Sequence, residues 1–62
     1  MKTAKEIKDY IINYLNVSIK HHNELMEENA KNRNFYYADR HKSFRDMYIA
    51  DKCQIEADFK EI

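Results

Sequence analysis

The chain has 62 residues, of which 35% are charged and 44% hydrophobic, and its formal net charge is zero. This length allows one domain at most, and the composition is that of a soluble, ordered protein, not a disordered one. Zero net charge argues against attraction of the whole surface to nucleic acid or anionic lipid, but it does not exclude a local patch. The sequence has no Gly, no Pro and one Cys, which argues against turn-rich β folds and internal disulfides.

The same features predict where the protein resides. No apolar run approaches the ~20 residues that a membrane span needs, and Met1–Glu6 lacks the apolar core of a secretion signal. The single cysteine, Cys53, indicates a reducing compartment. We therefore expect a cytoplasmic protein. The chain is rich in Lys, Asn, Ile, Tyr and Phe, whose codons are A/T-rich, so we also expect a low-GC bacterial, phage or plasmid source.

The first half of the chain has the pattern of one long helix. Thr3 and Glu6 have the spacing of a capping box, so the helix is predicted to begin at Ala4 and to end near Lys31. Apolar residues then recur at the helical period. The predicted stripe is Ala4, Ile7, Ile11, Tyr14, Leu15, Ser18, His22, Leu25, Met26 and Asn29, flanked by Ile12 and Ile19 on one side and by Tyr10 and Val17 on the other.

A bend is predicted within the Asn-rich stretch Asn29–Tyr37, and Asn34 is a candidate N-cap for a second helix over residues 35–61. The stripe of this helix is about a quarter turn out of phase with the first, which favours a bend over one long rod with a stutter. The rod is the alternative. The second stripe is Tyr37, His41, Phe44, Tyr48, Ile55, Phe59 and Ile62, with Asp51 and Lys52 at the same phase.

The two stripes can be paired in one antiparallel register. Facing residues in a hairpin have numbers with a constant sum, and pairing Ile7 with Phe59 gives the same sum as pairing Ile11 with Ile55. Half of that sum places the bend at Arg33. We therefore predict an all-α antiparallel two-helix hairpin, formed by residues 4–31 and 35–61, as the single domain 1–62.

The register also predicts one polar contact across the seam. Asp51 falls opposite Leu15, where an unpaired carboxylate would be unfavourable. Tyr14 lies at the same level, and its hydroxyl has a donor for this carboxylate. A Tyr14–Asp51 hydrogen bond is therefore predicted.

A single hairpin buries little apolar surface. Below ~70–80 residues one core rarely supplies more than ~3–5 kcal/mol, and Ile12, Ile19, Met26 and Ile49 fall together on one side. We therefore predict a homodimer that forms a four-helix bundle, with these four residues at the dimer interface. The alternative is that they are singly exposed apolar residues, which are common.

Neither a metal site nor a catalytic site is predicted. His21 and His22 are neighbours on a helix and face different directions, and the register places His22 and His41 about one turn apart. No HExxH motif or pair of cysteines completes a zinc site. There is no Gly-rich phosphate loop, and no Ser, His and Asp are brought together. We expect no metal, no cofactor, no catalytic residue and no enzymatic activity.

The bend and the start of the second helix are locally basic and aromatic. Such residues serve as anchors at protein interfaces, as a nucleic-acid contact surface, or as an ordinary solvated face, and the sequence leaves these three readings open. The candidate partner-binding residues are Arg33, Phe35, Tyr36, Arg40, Lys42 and Arg45.

The length and layout resemble those of small hairpin dimers such as the plasmid-encoded RNA-binding bundle regulators, a likeness of fold and not of motif. We expect a small non-enzymatic regulatory or inhibitory module that binds protein. It would be encoded by a phage or mobile element and would act on a host protein such as a nuclease or defence complex. The alternatives are an RNA- or DNA-binding hairpin that uses the basic–aromatic bend, and a structural assembly segment.

Overall fold

A computed structural model of the chain describes residues 2–61, so the predicted stripe position Ile62 lies outside the described residues. Two antiparallel helices, α1 (Ala4–Lys31) and α2 (Phe35–Asp58), pack along their length. They form a flat rod with extents of 46 × 19 × 12 Å. The predicted all-α hairpin is confirmed, although α2 ends at Asp58 and not at residue 61.

The start of α1 has the predicted cap. Thr3 lies in the extended region, and its Oγ1 accepts a hydrogen bond from the backbone N–H of Glu6 at 3.1 Å. This bond satisfies one of the N–H groups that have no partner inside the helix. The Glu6 carboxylate also lies in the first turn, where it faces the positive end of the helix dipole.

The bend is a Schellman turn centred on Arg33. The N–H of Asn34 donates to the carbonyl of Asn29 at 2.7 Å, and the N–H of Arg33 donates to Ala30 at 3.1 Å. Arg33 has φ 62°, a left-handed conformation that glycine usually supplies and that costs other residues about 1 kcal/mol. Asn34 is the N-cap of α2 as predicted, but its side chain makes no capping hydrogen bond.

The seam between the helices has heptad spacing on both sides. On α2 the buried and half-buried residues alternate at steps of three and four, as in an antiparallel coiled coil. Leu15 and Ala38 are the two buried residues of the described chain, with exposed fractions of 6% and 7%. The seam row of α2 is Ala38, His41, Arg45, Tyr48, Lys52, Ile55 and Phe59.

The seam of α2 differs from the predicted stripe at two levels. Ala38 and Arg45 line the seam where the sequence predicted Tyr37 and Phe44, and Tyr37 is 58% exposed. Of the two residues predicted at the same phase further on, Lys52 lines the seam and Asp51 is exposed. Long Arg and Lys side chains lay their methylene stems along an apolar seam while the charged heads reach water. A hydrophobicity pattern counts Arg and Lys as polar, so the prediction placed the aromatic residues in the seam instead.

The predicted Tyr14–Asp51 hydrogen bond is not among those of residues 2–61, and both side chains are exposed. The rotation of α2 removes Asp51 from the seam, so its carboxylate is solvated and needs no protein partner. Near the termini, where Ile7 was predicted to face Phe59, the Nζ of Lys8 donates to the backbone carbonyl of Phe59 at 3.2 Å.

Candidate functional site

Two helices side by side present two broad faces, one on each side of the seam. We define the tyrosine face by seven residues that follow one another at helical spacing on each helix: Ile7, Tyr10, Tyr14, Val17, Tyr37, Phe44 and Met47. We define the isoleucine face by the residues on the opposite side: Ile12, Ile19, Met26, Phe35, Lys42 and Ile49.

The tyrosine face is the most exposed apolar surface of the hairpin. Of the ten large apolar side chains that are exposed in the described chain, seven lie here, with exposed fractions from 38% for Phe44 to 65% for Tyr10. Contiguous apolar surface of this kind marks interaction sites more often than scattered single residues do. This face is therefore the first candidate for a contact with another molecule.

The isoleucine face is used largely by the hairpin itself. Ile12, Ile19 and Met26, three of the residues predicted at the dimer interface, are half-buried between the helices, whereas Ile49 is 40% exposed. Toward the bend this face opens into a shallow groove of about 430 Å³. The groove is lined by Met26, Phe35, Ala38, Asp39 and Lys42.

Arg45, a predicted partner-binding residue, points into the hairpin. Its Nη1 donates to Asn23 Oδ1 at 2.8 Å and approaches Met26 Sδ at 3.4 Å, and its Nη2 pairs with Asp46 at 3.1 Å. The arginine joins α2 to α1 on the isoleucine side. Its donors are therefore engaged within the chain.

The other basic residues of the predicted site do not form one patch. Arg40 lies over the ring of Tyr36 at 5.8 Å and over that of Phe44 at 6.0 Å, and its Nη1 donates to the Tyr36 hydroxyl at 3.2 Å. Lys42 lies in the groove of the isoleucine face. Arg33, Phe35 and Tyr36 remain together at the bend, where all three are exposed.

A histidine pair lies in the seam, where the sequence placed His22 and His41 a turn apart. The side chain of His22 inserts between His41, Phe44 and Tyr48, with ring centroids 5.2, 5.3 and 5.6 Å away. The Nδ1 atoms of His22 and His41 are 3.0 Å apart, so one neutral ring donates its N–H to the other. The register could have predicted this pair. In knobs-into-holes packing, a residue opposite Phe44, as His22 is, also contacts the residue one turn earlier, which is His41.

Burial lowers the pKa of His22 below its ordinary value of 6.5, and the neighbouring His41 and His21 lower it further. The His21 ring stands edge-on to His22 at 5.5 Å. Crowding of like charges and partial loss of water both disfavour the imidazolium form. His22 is therefore neutral at pH 7, with an unshared electron pair on one ring nitrogen.

Three further findings complete the description of the chain. Neither described helix carries an apolar stretch that could cross a lipid bilayer. Cys53 is a free, exposed thiol on α2. Comparison with known proteins gives no match for this chain among family models, curated proteins or solved structures.

Proposed function

We propose that the chain is a non-enzymatic protein-binding module that works as a homodimer, with the tyrosine faces of the two hairpins packed together. The observation that carries this proposal is the set of seven large apolar side chains exposed on one face. The sequence predicted the dimer contact on the isoleucine side. We propose the tyrosine face instead, because Ile12, Ile19 and Met26 are already half-buried within one hairpin.

The small core supports a second copy as the occupant of this face. Leu15 and Ala38 are the two buried residues of the described chain, and none of its large side chains is fully buried. A chain of this size buries a smaller fraction of its surface than larger domains do. Small proteins compensate with disulfides, metals or oligomerisation. The single cysteine, Cys53, permits no internal disulfide, so association with a second copy is the economical route.

The dimensions of the face set an upper limit on the interface. The broad face measures 46 Å by 19 Å, an area of about 870 Å², and a standard protein interface buries about 800 Å² on each partner, so a dimer that shares part of this face lies at or below the standard size. Tyr and Phe are also typical anchors at interfaces, because they bury a large rigid surface and leave a polar tip to hydrogen bond.

The apolar residues also suggest how the two copies meet. On α1 they occupy the half nearer the termini (7–17), and on α2 the half nearer the bend (37–47), so the apolar stripe runs diagonally across the face. A two-fold axis along this diagonal superimposes the stripe on itself, as an isologous interface requires. The two hairpins would then cross at an angle and would not lie parallel.

The regulatory or inhibitory role toward a host protein, and the phage or mobile-element origin, are parts of the same proposal. A dimer built on the tyrosine face leaves the isoleucine face and much of the bend open to another protein. Phe35 and Tyr36 are 66% and 67% exposed at the bend, beside Arg33. Aromatic residues next to an arginine are typical of interface hot spots.

The proposal is tested by the mass in solution over a range of concentrations, measured by light scattering and sedimentation. The wild-type chain is expected to dimerise, and the double variant Tyr14→Lys with Val17→Lys is expected to be monomeric. Both sites are exposed in the single hairpin, and Lys is a better helix former than Tyr or Val. Circular dichroism should therefore show that the variant keeps its helices.

The matched control is Ile49→Lys, which places the same charge on the isoleucine face and should leave the dimer intact. A wild-type chain that stays monomeric at high micromolar concentration contradicts the proposal. A dimer that breaks with Ile49→Lys and survives Tyr14→Lys with Val17→Lys would return the interface to the isoleucine face.

A further inference from the structure

We propose that His22 and His41 form a chelating site for a late first-row divalent metal ion, of which Cu²⁺, Ni²⁺ and Zn²⁺ are the candidates. One ligand comes from each helix, and the two Nδ1 atoms approach within 3.0 Å across the seam. The site uses one hairpin only, so it is independent of the dimer proposed above.

The separation of the nitrogens fits two ligands of one ion. A metal–imidazole bond is about 2.0–2.1 Å long, so two nitrogens bound at a right angle lie about 2.9 Å apart and at a tetrahedral angle about 3.4 Å apart. The observed 3.0 Å lies between these values. To bind one ion through both Nδ1 atoms, the ring that donates in the pair must carry its proton on Nε2 instead of Nδ1, so that both rings stay neutral. Each Nδ1 lone pair then turns toward an ion that lies beside the line joining the two nitrogens.

The packing around the pair holds the rings in place. The His22 ring is stacked on Tyr48 with an interplanar angle of 16° and leans on Phe44 at 5.3 Å. Both histidines are half-buried, so ring rotation is restricted before a metal binds. The low pKa of His22 keeps it in the neutral form that a metal requires.

The site has two protein ligands and leaves the other coordination positions to water. Within residues 2–61 no group of three or more His, Cys, Asp and Glu side chains could hold an ion. The affinity is therefore well below that of a four-ligand structural zinc site, and it follows the order in which Cu²⁺ binds more tightly than Ni²⁺ or Zn²⁺.

Thermal unfolding with NiCl₂ or CuCl₂ at pH 7.5 tests the site, because an ion that joins α1 to α2 stabilises the hairpin. With the ion at a hundred times its dissociation constant, Tm should rise by roughly 20 °C. At pH 5.5 the rise should largely disappear, since protons compete for the imidazole nitrogens. His22→Asn and His41→Asn should each abolish the rise, and His21→Asn should keep it.

The His21 variant is the matched control, because that ring is next to the pair but lies on the exposed side of α1. Loss of the Tm rise with His21→Asn but not with His41→Asn would show surface binding and would overturn the proposal. So would a wild-type Tm that neither ion changes.

A second measurement needs no variant and applies even if His41→Asn unfolds the chain. Imidazole ¹⁵N spectra of the wild-type chain titrated with Zn²⁺ should show the Nδ1 signals of His22 and His41 moving together. If the Nδ1 signals of both residues stay in place while those of His21 move, the pair is not the ligand and the proposal is wrong.

Discussion

The two broad faces of the hairpin differ in how much of their apolar surface the fold uses. On the isoleucine face, Ile12, Ile19 and Met26 turn into the seam, and the Arg45–Asn23 hydrogen bond closes the edge beside them. On the tyrosine face, Tyr10 and its apolar neighbours remain exposed. The helices carry two adjacent apolar rows, and one hairpin buries only the row on the isoleucine side. The row on the tyrosine face stays exposed and is the surface that a partner would cover.

The largest expected effect separates the seam from the tyrosine face at two adjacent residues. Leu15→Ala removes a buried side chain and should lower the free energy of unfolding by about 2–4 kcal/mol. Tyr14→Ala removes an exposed one and should cost little in the monomer. Urea unfolding measures both variants.

Protein concentration sharpens this contrast. If the tyrosine face is a dimer contact, the loss with Tyr14→Ala should grow as concentration rises, whereas the loss with Leu15→Ala should be large at every concentration. Equal losses for the two variants in dilute solution would contradict the division of the hairpin into a seam and a spare face.

A smaller effect compares one arginine from each side. Arg45→Ala removes the hydrogen bond to Asn23 and packing on Met26, and it should cost about 1 kcal/mol because the contact is part-buried. Arg40→Ala removes an exposed stack on Tyr36 and should cost a few tenths of a kcal/mol. Thermal unfolding in dilute solution gives the comparison. If Arg40→Ala lowers the stability more than Arg45→Ala does, the arginine on the tyrosine side, and not Arg45, makes the stronger contact in the hairpin.

The smallest effect is a pH dependence that belongs to the seam between the faces. The pKa of His22 is lower in the folded chain than its ordinary value of 6.5, so the folded state binds fewer protons than the unfolded state. Its contribution to stability is therefore complete above pH 6.5 and is lost as pH falls through the folded pKa. His41, His21, Phe44 and Tyr48 surround the ring.

Urea unfolding between pH 7.5 and pH 5.5 should show this loss of stability. His22→Gln should flatten the pH dependence in that window, and Arg40→Ala, on the tyrosine face, should leave it unchanged. A dependence that His22→Gln does not alter would mean that another group causes it.

Periodicity and capping predicted much of this fold. The Thr3–Glu6 spacing located the start of α1, and the Asn-rich stretch with a change of phase located the bend at Arg33. The constant-sum pairing also agrees with a contact across the seam, since the rings of His22 and Phe44, whose numbers have the predicted sum, lie 5.3 Å apart. The cap and the bend depend on a few neighbouring residues. The pairing rests on many residue pairs, so one wrongly placed residue does not change the predicted register.

The face assignment was less predictable, for a physical reason. Ala38 lines the seam because it is small, and Arg45 and Lys52 line it through their methylene stems, whereas the larger Tyr37 and Phe44 sit beside it. A hydrophobicity pattern ranks these residues in the opposite order. The histidine pair was missed because the constant-sum register pairs each residue of α1 with one residue of α2. In knobs-into-holes packing, each side chain contacts several residues of the facing helix.

The left-handed backbone at Arg33 has a consequence for how this chain could assemble. Nothing in the stretch from Lys31 to Phe35 is a Gly or Pro, so the turn is held by its hydrogen bonds and not by a residue that refuses helical geometry. If Arg33 rotated to a right-handed φ, α1 and α2 would merge into one straight helix. On such a helix the seam rows of α1 and α2 would point to different sides, because the rows change phase at the bend. Two straight helices, side by side and reversed, could therefore not rebuild both halves of the seam, so the change of phase, and not a helix breaker, protects the hairpin against exchange between chains.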